Sequence, residues 1–243
     1  ANLTGARGES VMFKDAVLNH AKVVRAVFPH VDMSGTDLVG TDLSRSLLIG
    51  ARFTEAVFSR TVCYKTFFID AVFTDVVFDH CDFTMAHFDE ADLSGGELRT
   101  CTITQAGFPR ANLAGAVLKG GNAYAARFVG ADLKGINVTG TSLEASDFRG
   151  GNLTQGDFSH ADLRRCIMKD SNCRVALFAG ADLTYADLSR ADLTAANFSN
   201  AGLTGTKFHR AVMKRTVWDG SNKKAALFTD PDLEEAEEWK PSM

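Results

Sequence analysis

Large apolar residues recur along this chain at every fifth position. Positions 3, 8, 13 and onward to 233 make 47 sites, of which Leu occupies 18 and Phe 17. Seven more are Val23, Met33, Ile103, Val138, Met168, Met213 and Trp218; only Gly8, Cys63, Ala123, Cys173 and Lys223 depart from large apolar character. Two residues before each centre the chain is small: 45 of 47 sites hold Ala, Gly, Ser, Thr, Cys or Val, with Ile136 and Pro231 the exceptions. The residue between is most often Asp or Asn, as in ADLTY, ADLSR, ADLTA and ANFSN over 181–200. No insertion shifts the frame.

Neither ordinary period explains this. A helix repeats apolar residues at three and four, and a half-exposed strand alternates by two. A period of five, one large and one small apolar residue per unit, needs a coil that turns a corner every five residues. The large residue fills the interior, the small one lets the wall close over it, and three positions face water. Gly, Asn and Asp at the outer positions suit repeated turns. Each coil is useless alone and buries its face only on its neighbours.

The tandem A(D/N)LXX motif resembles the pentapeptide-repeat family over nearly the whole chain. The resemblance implies an all-β fold: a right-handed, four-sided β-helix of about 12 coils, four pentapeptides to each 20-residue coil. Phe68, Phe88, Phe108, Phe128 and Phe148 recur at that spacing and would stack as one internal ladder. The β-helix is expected over 1–230, with a C-terminal cap and tail over 231–243. There Asp230 suits an N-cap, Pro231 the first helical position, and Asp232, Glu234 and Glu235 a helix start. Leu233, Ala236 and Trp239 would form one apolar side of that short capping helix. The chain opens at Ala1 already in register, without an initiator Met. The expectation is that this is a domain of something longer.

Sorting residues by face (A with centres 3, 23, 43; B with 8, 28, 48; C with 13, 33, 53; D with 18, 38, 58) singles out Phe67. It is the only one of 18 phenylalanines off the five-residue step, and it precedes a centre on face B, where polar residues are usual. Val27 and Leu47 stand before it in the same column; Ile49 and Ile69 lie just beyond the centres. These five would point outward from three consecutive coils. Clustered apolar groups of this kind mark contact with another protein or domain, or are covered by a loop or an N-terminal segment. A second irregularity falls on face A, where Cys63, Ala123 and Lys223 replace large centres and Tyr64 and Tyr124 follow two of them. Here the coil is expected to bulge, or the following aromatic to fold inward. The bland reading is a tolerated irregularity that sets bend or twist.

Charge narrows the function. The net charge of −4, from 30 acidic and 26 basic residues, argues against a nucleic-acid binder or a polybasic membrane surface. No apolar run approaches a membrane span. Some pentapeptide-repeat proteins protect DNA gyrase, in the manner of quinolone resistance, by mimicking a DNA duplex, which requires dense charge of one sign. Here Lys and Arg interrupt every face, and even face C carries six basic residues against ten acidic. Five cysteines without paired spacing fit a reducing cytoplasm, and Cys81 and Cys101 read as neighbouring buried thiols. His20, His80 and His160 share an outer column but stand too far apart for one metal. No nucleotide-binding, cofactor or hydrolase motif is present, so a non-enzymatic role is expected. The leading expectation is a rigid interaction scaffold, with a passive spacer as a further alternative. The resemblance also connects such segments with bacterial secretion-associated and effector proteins, type VI products among them.

Overall fold

A computed structural model describes residues 1–238, and the expected contribution of Trp239 lies outside them. Residue n pairs in parallel with residue n+20, from Asn2↔Lys22 through to Lys207↔Leu227. The coil length is therefore twenty and the architecture a four-sided stack of coils. Only on face D do the pairs lengthen into named strands. These are β1 (Phe58–Ser59), β2 (Val77–Asp79), β3 (Glu97–Arg99) and β4 (Val117–Lys119), joined in parallel in the order β1-β2-β3-β4.

Two features of each pentapeptide make the corner. First, every fifth residue from Gly5 to Gly220 has a positive φ, between 51° and 70°. Non-glycine residues hold many of these corners, including Asp15, His20, Arg45 and even the β-branched Val175. Isolated left-handed residues cost about 1–2 kcal/mol each, so stacking has to maintain them. Second, the backbone pairs four of its five amides. Around Asp132, the Asp132 amide donates to Ala111 O (3.0 Å), Leu133 to Asn152 O (2.8 Å), Gly135 to Thr154 O (2.9 Å) and Ile136 to Leu133 O (3.1 Å).

The fifth amide, one residue past each centre, explains the Asp/Asn preference. In the Asp132 coil it belongs to Lys134 and donates to Asp132 Oδ1 at 3.1 Å. The same bond, from an amide to the side chain two residues earlier, recurs at Asp42 (Ser44), Asp82 (Thr84), Asp162 (Arg164), Asp192 (Thr194) and Asn197 (Ser199). This is an Asx-turn repeated down the rod. Pro29 and Pro109 both occupy this slot, where a missing N–H breaks no backbone ladder.

Inside, the large centres form one continuous core. The expected ladder is present: Phe68–Phe88, Phe88–Phe108, Phe108–Phe128 and Phe128–Phe148 stack with centroids 5.0, 4.8, 5.0 and 4.9 Å apart. A second runs Phe158, Phe178, Phe198, Trp218. Buried hydroxyls at the small position tie coils together, as when Thr41 Oγ1 donates to Leu18 O (2.6 Å) and Thr206 Oγ1 to Leu183 O (2.8 Å).

The frame fails at its C-terminal end. Lys223 was expected at a centre, but it is exposed, within a 3-10 turn over Lys223–Ala225. Desolvating an ammonium in this core would cost more than abandoning the register. Asn222 replaces the lost pairing by accepting the Leu203 amide through Oδ1 at 2.5 Å. Beyond lies α1 (Pro231–Glu238), begun as expected by Asp230, whose Oδ1 accepts the Asp232 amide at 3.0 Å. Asp82→Ala is expected to lower stability by about 1 kcal/mol, because the Thr84 amide loses its acceptor, whereas Asp82→Asn retains most of it. Denaturant melts of the two variants check this.

Candidate interaction surface

The five residues of the face B patch come together on the outside of the rod. Val27, Leu47, Phe67 and His87 form one column through the bridges Val27↔Leu47, Leu47↔Phe67 and Phe67↔His87. The Phe67 ring lies flat on the His87 imidazole, centroids 4.6 Å apart and planes 2° from parallel. Val27, Leu47 and Phe67 are half-buried, as are Ile49 and Ile69 beside them, while His87 is exposed. With apolar residues in the acceptor position, the Ile49 and Ile69 amides find no protein acceptor among the described residues. Pro29, in the first coil of the patch, has no amide hydrogen to satisfy.

Sequence reading missed a more exposed apolar column on face D. Val57 and Val77 are 49% and 38% exposed, with Leu177 and Val217 farther along. The signal was there in the residues before the face D centres, 17, 57, 77 and 117, all Val. Asp37 and Glu97 interrupt that column, so it does not stand out as an apolar run.

The irregular centres resolve differently from one another. Cys63 is fully buried, while Tyr64 stays at the corner with Lys65 Nζ 5.2 Å and Arg45 Cζ 5.9 Å from its ring centroid. Neither tyrosine folds inward: Tyr124 is 45% exposed. Ala123 leaves a small void of about 10 Å³ lined by Leu98, Cys101, Ile103, Leu118, Gly121 and Thr141 among others. The wall closes partway over it, so that a Cβ on Gly121 would stand 2.4 Å from Cys101 O. Lys223 lies over Trp218 and Phe228, 4.7 and 5.5 Å from their ring centroids.

An open groove of about 510 Å³ runs beside the Phe67–His87 stack, lined by Arg45, Lys65, Phe67, Met85, His87 and Gln105. Farther along, most of the rod's arginines meet carboxylates, while lysines such as Lys119 and Lys134 meet none among the described residues. Arg110 bonds Glu90, Arg149 bonds Asp147 (2.6 Å), Arg164 bonds Asp162 (2.7 Å) and Glu144 (3.0 Å), and Arg190 bonds Asp170 (2.7 Å). Such pairs neutralise the surface more than they stabilise it.

All five cysteines are buried free thiols. Burial pushes the Cys173 thiol up to about 12 and raises Cys63 and Cys166 as well. The Cys101 thiol points at the Phe78 and Arg99 carbonyls (3.5 and 3.4 Å) and the Cys81 thiol at the Asp79 carbonyl (3.5 Å); the proximity of the two sulfurs lowers Cys81 and raises Cys101. Among the described residues, no group of His, Cys, Asp or Glu is arranged to hold a metal. No helix among them is long and apolar enough to cross a membrane.

A family model for pentapeptide repeats matches this chain in overlapping copies that cover residues 13–165 and 171–215. No curated protein matches it. Among solved structures, HetL is 23% identical over 91% of each chain, with a TM-score of 0.45. That protein is a pentapeptide repeat protein involved in heterocyst differentiation regulation, from the cyanobacterium Nostoc sp. strain PCC 7120. Full-length QnrB1, a plasmid-mediated fluoroquinolone resistance protein, is 18% identical over 95% of this chain and 97% of its own, with a TM-score of 0.25. A pentapeptide repeat protein from the Arabidopsis thaliana thylakoid lumen is 24% identical over 46% of this chain and 61% of its own, with a TM-score of 0.18.

Two outcomes follow from the void and the thiols. Gly121→Ala is expected to destabilise by about 1–3 kcal/mol, since its Cβ must displace a backbone carbonyl rather than a movable side chain; thermal denaturation measures this. A chromogenic disulfide reagent at mildly alkaline pH is expected to leave the native thiols nearly untouched and to titrate all five after unfolding. Any slow native labelling should fall first on Cys81, as peptide mapping would report.

Proposed function

The chain belongs to the pentapeptide-repeat family, whose members form right-handed β-helices, and on that premise we propose that it is a non-enzymatic scaffold presenting fixed side-chain columns to another protein. What carries the reading is the n to n+20 register, which holds outward residues of successive coils in line about 4.8 Å apart. A partner meets a surface already ordered, so little entropy is lost on the rod's side. The face B patch is the contact we assign: an apolar column three coils tall that replaces Asx acceptors with Val27, Leu47 and Phe67, flanked by Ile49 and Ile69. A setting in the bacterial cytoplasm, or as part of a secreted effector, is compatible with this role.

Mimicry of a DNA duplex toward gyrase is the alternative, and the ion pairs weigh against it. A duplex presents one negative charge per ~1.7 Å of axis. Here Arg110, Arg149, Arg164 and Arg190 lie on the carboxylates that would have to supply it.

Leu47→Asp combined with Phe67→Asp tests the contact. Both substitutions restore an acceptor for an amide that lacks one, so the variant should fold at least as well as the wild type. Partner recovery in a quantitative pull-down from the native host is expected to fall at least about tenfold, the size of a lost contact centre. Equal recovery from both proteins removes face B from the proposal. Inhibition of DNA supercoiling at micromolar protein would favour the duplex-mimic alternative.

A further inference from the structure

Beside the apolar column stands a second column, the corner between faces A and B, and in three consecutive coils it is cationic: Arg25, Arg45, Lys65. All three hold left-handed corners, with φ of 55°, 61° and 54°, so their side chains leave the rod at equivalent points about 4.8 Å apart. None has a carboxylate within 4.0 Å among the described residues. The contrast lies within the same column, where Arg165 reaches Glu144 at 3.4 Å. Like charges so spaced repel one another, and the Tyr64 ring between Arg45 and Lys65 is what the fold sets against that repulsion.

The two columns run into the groove beside the Phe67–His87 stack: Arg45, Lys65 and Phe67 line it, while Arg25, Val27 and Leu47 continue the same columns outside it. One wall offers the Arg45 guanidinium and Lys65 ammonium; the other offers the Phe67 and His87 rings, and aliphatic Leu47 and Val27 extend that column beyond the groove. We propose that this groove and the two columns leading into it take an acidic peptide segment of the partner, lying along the rod axis, its carboxylates on Arg25, Arg45 and Lys65 and its apolar side chains on Val27, Leu47 and Phe67. This rests on the scaffold reading above and adds the chemistry of what is bound. Charge complementarity selects an acid, and the adjoining apolar column selects a polypeptide over a nucleic acid. A single strand of nucleic acid would need a longer basic track and flat rings for successive bases. Here the cationic run ends at Met85 and Gln105, the Phe67 and His87 rings are stacked on each other, and Val27 and Leu47 are aliphatic.

Fluorescence anisotropy with three labelled probes tests the proposal: a short peptide alternating Asp with Leu and Phe, the same peptide with Asn for Asp, and a single-stranded oligodeoxynucleotide of matching charge. The Asp peptide is expected to bind at least about tenfold tighter than either control, with affinity falling as salt is raised. Arg45→Glu combined with Lys65→Glu should erase that preference while leaving the melting temperature within a few degrees, since neither side chain has an ionic partner to lose. Equal binding of the Asp and Asn peptides, indifference to the charge reversal, or tighter binding of the oligonucleotide would each overturn the proposal. The two readings separate in the pull-down. If Leu47→Asp/Phe67→Asp abolishes partner capture and the charge reversal does not, the acidic-segment proposal falls and the scaffold stands. If both variants capture normally, both fall.

Discussion

Every property of this rod depends on parallel backbone pairing at an offset of twenty residues. An edge strand is normally a liability, because unpaired amides and carbonyls recruit other chains. Here each coil is the next coil's partner, and a single chain supplies its own sheet on four sides. The pairing holds the left-handed corners, which would be disfavoured singly, and the corners in turn keep the coils in register. Val175, a β-branched residue at φ 60°, shows how strongly the stack dictates backbone geometry. Cooperative nearest-neighbour stabilisation of this kind is what makes solenoids quasi-one-dimensional.

Much of this was legible from the spacing of Leu and Phe alone. The five-residue step set the core, the recurrence of Phe68 through Phe148 set the coil, and Asp230-Pro231 set the start of α1. Other things were not. The reason for Asp or Asn before each centre lies in an amide left over by the ladder, which appears only when hydrogen bonds are assigned. Lys223 fitted the frame by position, but the cost of desolvating its ammonium decided against it. Gly121 occupies an ordinary small position, and its necessity follows from the coil closing in over Ala123. Arg25, Arg45 and Lys65 share one column, which a charge sum over a whole face does not show. Residue-by-residue columns, rather than faces, are the natural unit for reading such a surface.

That unit also bears on specificity. In most folds a binding surface mixes residues from distant segments, and its shape depends on loops. Here one outward column is a string of residues twenty apart, and a substitution changes one rung with little effect on its neighbours. Charged rungs toward the C-terminal half meet partners one coil away or within their own turn, as Arg190 meets Asp170 and Arg149 meets Asp147. Where arginines pair off in this way the surface field is weak, so the places where several cations stand together without carboxylates carry the discrimination.

Two departures from the pattern coincide. In the coils of residues 41–50 and 61–70, the chain gives up an Asx hydrogen bond by placing Leu47 and Phe67 where an acceptor would serve. A neutral hydrogen bond of this type is worth about 1 kcal/mol. In the same coils it leaves Arg45 and Lys65 without carboxylates, although Arg165 shows that the column can hold an ion pair. Either departure alone could be drift in a repeat that tolerates variation. Local rules broken side by side, at some cost in stability and with an open groove between them, are what a functional surface looks like when the rest of the sequence obeys the pattern. The same argument leaves face D as the weaker candidate. Its valines also lack the Asx bond, but there the chain runs on as extended strands β1 to β4, and its cations Arg60 and Lys119, though without ion pairs among the described residues, stand three coils apart rather than in consecutive ones.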